Sequence, residues 1–215
     1  MKRLVTFGCS HTSGVGLKSK KDGWPYKLAS KFNIPLVNKG LAGNSIKGTT
    51  HTLSEFNFQP EDLAIVMWPS YARHTVLQKD RMQMIMPNSF GVTTKDNGWI
   101  DYNADENTSD LYYKHFYNEY DAIKTGEIYI RYVDSLATIG NFKLIHTFSD
   151  TLPTYFEKTS DILSFIKQPY LVKPFWRSFY ESFPIPDDYG HINKEGQSLW
   201  ADILYGEITG KKPLI

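Results

Sequence analysis

Three short stretches of this chain hold residue types that can work together on an acyl group. Ser10 lies in Gly8-Cys9-Ser10-His11-Thr12, directly after a short apolar run. A serine on a tight turn leaving a strand exposes its hydroxyl and keeps its backbone N–H free for an oxyanion. Far along the chain, Asp187-Asp188-Tyr189-Gly190-His191-Ile192-Asn193 places a carboxylate three residues before an imidazole. Serine is a weak nucleophile until a base takes its proton, and a neutral histidine suits that task. A carboxylate on the far ring nitrogen would fix the tautomer and stabilise the imidazolium, and Asp188 is placed to reach back to His191 along one loop. Between them, Gly43 in Asn38-Lys39-Gly40-Leu41-Ala42-Gly43-Asn44-Ser45 stands at a helix entrance, where its N–H can face an anion.

Each stretch also has a plainer reading: a glycine turn, a capped helix start and a solvated acidic loop. Cys9 is a second conceivable nucleophile, but a cysteine ending a buried strand is more often a small core residue. The phosphate-cradling patterns GxGxxG and GxxxxGK[ST] are absent, and the six histidines show no metal-binding spacing such as HExxH. No metal and no cofactor is expected. His11 and His74 are candidates to line the cleft.

These residues need strands to carry them. Arg3–Gly8 is β-branched and apolar, and Asp62–Trp68 is apolar almost throughout, as in a parallel sheet covered on both faces. Pro35–Asn38 and Phe142–Thr147 read as further strands. Helices are expected over Asp22–Phe32, with Asp22 as cap, and over Asn44–Phe56, with Asn44 or Ser45 as cap. A long helical tract weakened by Gly126 is expected at Leu111–Ile139, and a closing helix at Asn193–Ile208. The stretch from Pro69 to about Asp110 breaks the rhythm and reads as an insertion, centred on about 74–110 and containing a hairpin. Asp150–Trp176 is expected to hold a helix and a last short strand. The aromatic groups Tyr112/Tyr113/Phe116/Tyr117 and Phe175/Trp176/Phe179/Tyr180 are read as core before ligand platform.

Strand and helix alternate, which predicts one α/β domain over residues 1–215, with a mostly parallel sheet between helix layers. The 215 residues are enough for one sizeable core. Lys and Arg total 24 against 23 Asp and Glu, so no basic footprint points to nucleic acid or an anionic membrane. A lone cysteine excludes an internal disulfide framework. No run reaches the roughly 20 apolar residues of a membrane span, and the N-terminal run is too short for a signal peptide, so the cytoplasm is the expected location.

The three stretches in this order resemble the SGNH (GDSL-like) hydrolase family. Gly8-Cys9-Ser10 is similar to its Gly-Asp-Ser block, Gly43 to its oxyanion glycine, and Asp188-Tyr189-Gly190-His191 to its Asp-x-x-His block. Trp24-Pro25-Tyr26, Asn38-x-Gly40-x-x-Gly43 and His191-x-Asn193-x-x-Gly196 are flanks familiar from bacterial and phage members. The resemblance implies a three-layer, flavodoxin-like α/β/α sandwich that hydrolyses esters of small molecules or carbohydrates. Ser10 would be acylated, His191 would act as base then acid, and Asp188 would orient it. The N–H groups of Ser10 and Gly43 would bind the oxyanion. Two departures stand out. Cys9 replaces the family's aspartate, and Trp68-Pro69-Ser70-Tyr71 replaces its Gly-x-Asn-Asp. Ser70, Arg73 and Asn44, in that order, are the candidates for the donor that the missing asparagine gives. A catalytically weakened binding protein and an O-acyltransferase are the rival readings.

Overall fold

The run ahead of Ser10 forms β1 (Arg3–Gly8), and the chain leaves it through α1 (Ser10–Ser13), a single helical turn. A 3-10 turn at Lys20–Asp22 leads into α2 (Trp24–Phe32). The expected cap shifts here by one residue. Gly23, not Asp22, is the N-cap, and no side chain caps the helix. Proline in the first turn replaces an N–H that would have no partner there. β2 (Leu36–Gly40) and α3 (Ile46–Ser54) follow, the Ser45 hydroxyl accepting from Gly48 N–H as cap. β3 (Asp62–Trp68) is buried along its whole length.

After β3 the chain forms an antiparallel hairpin, β4 (His74–Leu77) and β5 (Met82–Ile85). Thr75 fastens it to the α3 cap, its hydroxyl 2.6 Å from that of Ser45. The expected continuous helix at Leu111–Ile139 is two helices, α4 (Glu106–His115) and α5 (Glu119–Gly140). The break comes from Asn118, whose side chain accepts from Asp121 N–H and starts a new helix. Gly126 breaks nothing. A Cβ there would lie 3.1 Å from Ile46 Cδ1, so the glycine lets α3 and α5 pack closely. The chain continues through β6 (Lys143–Phe148), β7 (Tyr170–Leu171), β8 (Pro184–Ile185) and β9 (Asp188–Ile192) to α6 (Lys194–Thr209), capped by Asn193. This computed structural model describes residues 1–77, 82–85, 106–148, 167–171, 182–185 and 188–211. The expectations for 86–105, most of Asp150–Trp176 and the Phe175–Tyr180 aromatics lie outside them.

The central sheet runs β2-β1-β3-β6-β7, and every pairing in it is parallel. Side chains alternate across it with the pleat. Val5, Phe7, Val66 and Trp68 face α3 and α5, while Leu4, Ile65 and Met67 face α2 and α6. The fold is a three-layer α/β/α sandwich, as the alternation of elements predicts. A bidentate pair from Arg3 to Asp62, at 2.7 and 2.8 Å, pins β1 to β3 at their amino ends. β2 and β3 flank β1 on opposite sides, so the strand order reverses there and the carboxyl ends of β1 and β3 are where such a fold opens a crevice. Among the described residues no helix is long and apolar enough to cross a membrane.

Candidate active site at the carboxyl ends of β1, β2 and β3

The turn that carries Ser10 is fixed by backbone. Cys9 O accepts from Thr12 and Ser13 N–H, both at 3.0 Å, and Ser10 O accepts from Gly14 N–H at 3.0 Å. Gly8 has φ +151°, and a Cβ there would strike the Thr12 hydroxyl and lie 2.7 Å from Met67 O. β2 is brought equally close. A Cβ on Gly40 would sit 2.6 Å from Ser13 N, so only glycine lets this strand end touch the turn. Asn38 locks the approach: its Nδ2 donates to Thr12 O at 2.8 Å, and its Oδ1 accepts from Gly40 N–H at 2.9 Å and the Thr6 hydroxyl at 3.1 Å. That is the physical content of the Asn38-x-Gly40 flank. Ser10 and His11 are each 7% exposed, while Cys9 is sealed at 0%. The accessible residue of the pair is the serine.

Gly43 has φ +70° in a turn closed by Asn44 N–H to Leu41 O at 3.2 Å. Asn44 is fully buried, its Nδ2 donating to Gly8 O at 3.5 Å and its Oδ1 accepting from Ser45 N–H at 3.0 Å. Its amide therefore knits the Gly43 turn to the end of β1. Gly48 is a glycine because a Cβ there would collide with the Asn44 side chain.

His191 arrives on a strand. The expected loop before the last helix is instead the short antiparallel pair β8–β9, with a register irregularity, and Gly190 at φ +118° bends it. A two-residue partner strand carries no periodic signal in sequence, so only the tertiary pairing reveals it. The β9 strand packs on α1, and the rings of His11 and His191 lie 5.0 Å apart at 55°. The Asp188 backbone belongs to β9, and its side chain lies outside the described residues. Among the described residues Ser10 Oγ makes no hydrogen bond. Burial, then the charges of His191 and Arg73, hold the His11 imidazole well below the ordinary histidine value, so it is neutral.

The corner after β3 supplies the other wall. Ser70 Oγ accepts from Ala72 N–H at 3.3 Å, and Ser70 O from Arg73 N–H at 3.3 Å, so this serine closes its own turn. Arg73 Nη1 is buried and has no hydrogen-bond partner among the described residues. The Tyr113 hydroxyl donates to Ala72 O at 2.5 Å and to Ile85 O at 3.2 Å, tying α4 to this turn and to the hairpin. Burial raises the Tyr113 phenol far above its ordinary value, so it stays a donor. The expectation that Tyr112, Tyr113, Phe116 and Tyr117 are core is corrected. Phe116 is 76% exposed, and Tyr112, Phe116 and Tyr117 line a cavity with Arg73 and His74.

The sequence reading missed a second histidine centre. His146 on β6 is fully buried between Trp68 and Asp134. Trp68 Nε1 donates to its Nδ1 at 3.0 Å, which puts the ring proton on Nε2, 3.3 Å from Asp134 Oδ1. The same carboxylate accepts from the N–H groups of Lys167 and Gln168. Burial, only partly opposed by Asp134, pushes the His146 pKa down to about 4. The pair Asp134 and His146 spans α5 and β6 without local spacing, so no motif announces it.

No protein-family model and no curated protein sequence matches the chain. Solved structures do match. A member of the lipolytic protein G-D-S-L family from Veillonella parvula DSM 2008 superposes with a TM-score of 0.53 at 12% identity, over 97% of each chain. TesA superposes at 0.56 and 15% identity over 100% of both chains. An acetyl xylan esterase, Est2A, from the rumen bacterium Butyrivibrio proteoclasticus gives 0.52 at 12% identity, over 98% of this chain and 64% of that one. The chain has the fold of the G-D-S-L lipolytic proteins, and the likeness at these identities is one of fold.

Proposed function

We propose that this protein is a serine-dependent ester hydrolase acting through Ser10, with His191 as base and Asp188 as its orienting carboxylate. The observation that carries the reading is convergence. A strand 181 residues away (191 − 10) lays the His191 ring 5.0 Å from that of His11, the residue beside Ser10. The N–H groups of Ser10 and Gly43 take no acceptor among the described residues and stand ready for an oxyanion.

In this reading Ser10 Oγ attacks the ester carbonyl as its proton passes to His191. The alcohol departs with that proton, leaving Ser10 acylated, and water repeats the sequence in reverse roles. Hydrogen bonds of a catalytic pair are often loose without substrate, and Ser10 Oγ awaits that tightening. For the third oxyanion contact the surroundings favour Arg73. Asn44 already donates to Gly8 O in holding β1 to the Gly43 turn. Ser70 is held in its own turn by Ala72 N–H though its hydroxyl proton stays available, whereas the Arg73 guanidinium carries a buried N–H with no acceptor among the described residues. A buried donor left unmade is costly, so the fold has reason to keep it for a ligand oxygen.

Intact-mass measurement after a fluorophosphonate tests the reading. A single adduct that peptide mapping places on Ser10, and that Ser10→Ala removes, is expected. The binding-only alternative draws on one observation, the absence of a hydrogen bond on Ser10 Oγ among the described residues. No adduct on folded protein would decide for it.

A further inference from the structure

We propose that His11 is a positioning residue for the base: its ring, carried on the turn that presents Ser10, is the face against which the His191 imidazole is set. The inference rests on Ser10 and His191 as nucleophile and base, and goes beyond that reading by naming what holds the one in register with the other.

The need for such a face comes from the way His191 is mounted. On its carboxyl side the chain is gripped. Ile192 is fully buried, Asn193 N–H donates to Phe183 O at 2.8 Å, and a Cβ on Gly196 would lie 2.8 Å from Phe183 Cβ. On its amino side the hold is slighter. β9 pairs with only the two residues of β8, across a register irregularity. Gly190, at φ +118°, takes a backbone conformation that a side chain would strain, and a Cβ there would meet nothing within 4 Å. His191 therefore stands between an anchored residue and open space. A partly exposed imidazole in that place keeps a choice of rotamers until something packs on its ring.

His11 supplies that packing. The two ring centroids are 5.0 Å apart at 55°, inside the roughly 4.5–7 Å range of tilted aromatic pairs. His11 is itself held, being buried in α1, which packs on β9. The next residue of that turn, Thr12, accepts from Asn38 Nδ2 at 2.8 Å, and Gly40 closes on Ser13. One backbone turn thus carries the nucleophile and, one residue on, the ring that meets the base.

The same geometry denies His11 the role of base. Successive side chains on a helical turn point about 100° apart, so Ser10 and His11 face different ways. Burial, then the charges of His191 and Arg73, keep the His11 ring neutral. An uncharged ring can stay packed on His191 once it has taken the Ser10 proton, whereas a cation there would oppose the transfer.

Two substitutions separate the aromatic plane from bulk and from nitrogen. His11→Leu keeps the bulk without the plane, and His11→Phe restores the plane without nitrogen. Since a displacement of about 1 Å can cost about 10²-fold, His11→Leu is expected to lower kcat on phenyl acetate about tenfold or more, with KM within about twofold. His11→Phe should return kcat to within about threefold of the unsubstituted protein, although the two variants melt at nearly the same temperature. In the unsubstituted chain an NMR Overhauser contact between the ring protons of His11 and His191 is expected, a measurement that needs no variant to fold. An undiminished kcat in His11→Leu, an equal loss in His11→Phe, or no ring contact in folded protein each overturns the inference. Fluorophosphonate labelling tells its failure from that of the reading beneath it. Labelling of Ser10 at the same rate with and without His11→Leu refutes the positioning role alone. No labelling of the unsubstituted protein refutes the hydrolase reading, and this inference with it.

Discussion

The molecule contains two histidine centres, and they differ in what they leave unsatisfied. At the centre of β6 and α5, His146 has both ring nitrogens engaged, and its partner Asp134 also accepts two backbone N–H groups. At the crevice, His11 and His191 face each other beside a serine hydroxyl and an arginine nitrogen that lack partners among the described residues. The first resembles a catalytic dyad in its atoms and is a structural clamp in its surroundings. An aspartate beside a histidine therefore does not define an active site. Spare hydrogen-bonding capacity beside the Ser10 hydroxyl is what sets the crevice apart from the His146 centre.

Substitutions can break this contrast, and the largest effects are expected at the crevice. Ser10→Ala and His191→Ala should each lower kcat on a small ester by about 10⁴-fold or more with the melting temperature nearly unchanged, because such residues act as a unit. If His146→Ala removed activity per folded molecule as completely, the assignment of the two centres would have to be exchanged. Arg73→Ala comes next, with an expected fall in kcat of about 10²–10³-fold and little change in KM, the signature of a contact made in the transition state. Ser70→Ala should stay within a few-fold. The reverse ranking would return the third oxyanion contact to Ser70.

At the sealed centre the effects should fall on stability. Asp134→Ala leaves the His146 ring and two backbone N–H groups without their acceptor and should cost about 3 kcal/mol in denaturant unfolding, with kcat on folded protein within a few-fold. The pH dependence is the smallest effect per step. Because the folded His146 pKa is near 4 and the unfolded value near the ordinary 6.5, the unfolded chain binds the extra proton between them. Stability should thus rise with pH from about 4 to 6.5, by at most about 1.4 kcal/mol per pH unit from this group. His11, also held neutral by burial, adds in the same direction. Replacing His146 with glutamine should flatten the slope, and an unchanged slope would assign it elsewhere.

Much of this was legible where the determining physics is local. β1 and β3 announce themselves because continuous apolar runs survive only where both faces are covered. The cap at Ser45 follows from a side chain that bonds within three residues. The turn glycines could be suspected, but the reason for Gly40 is a clash with residues 12 and 13, invisible until β2 pairs with β1. The α4–α5 break escaped notice because apolar periodicity runs across it. Its one cue was Asn118 followed three residues later by Asp121, a helix-start pattern hidden in a helical tract. His146 was unreadable because all its partners are distant in sequence. Tyr112 and Tyr117 looked like core because aromatic spacing does not distinguish a packed face from a cavity wall.

The placement of Ser10 after the first strand and of His191 on β9 sets an order of events during synthesis. A ribosome adding about 5–20 residues per second releases His191 some ten to forty seconds after Ser10. Throughout that interval β1 can pair with β2 and β3 while the serine turn lacks the histidine of β9. With the proposed triad, a nascent or C-terminally clipped chain would carry the serine turn yet leave ester bonds around it intact, so catalytic competence would arrive only with the last strand.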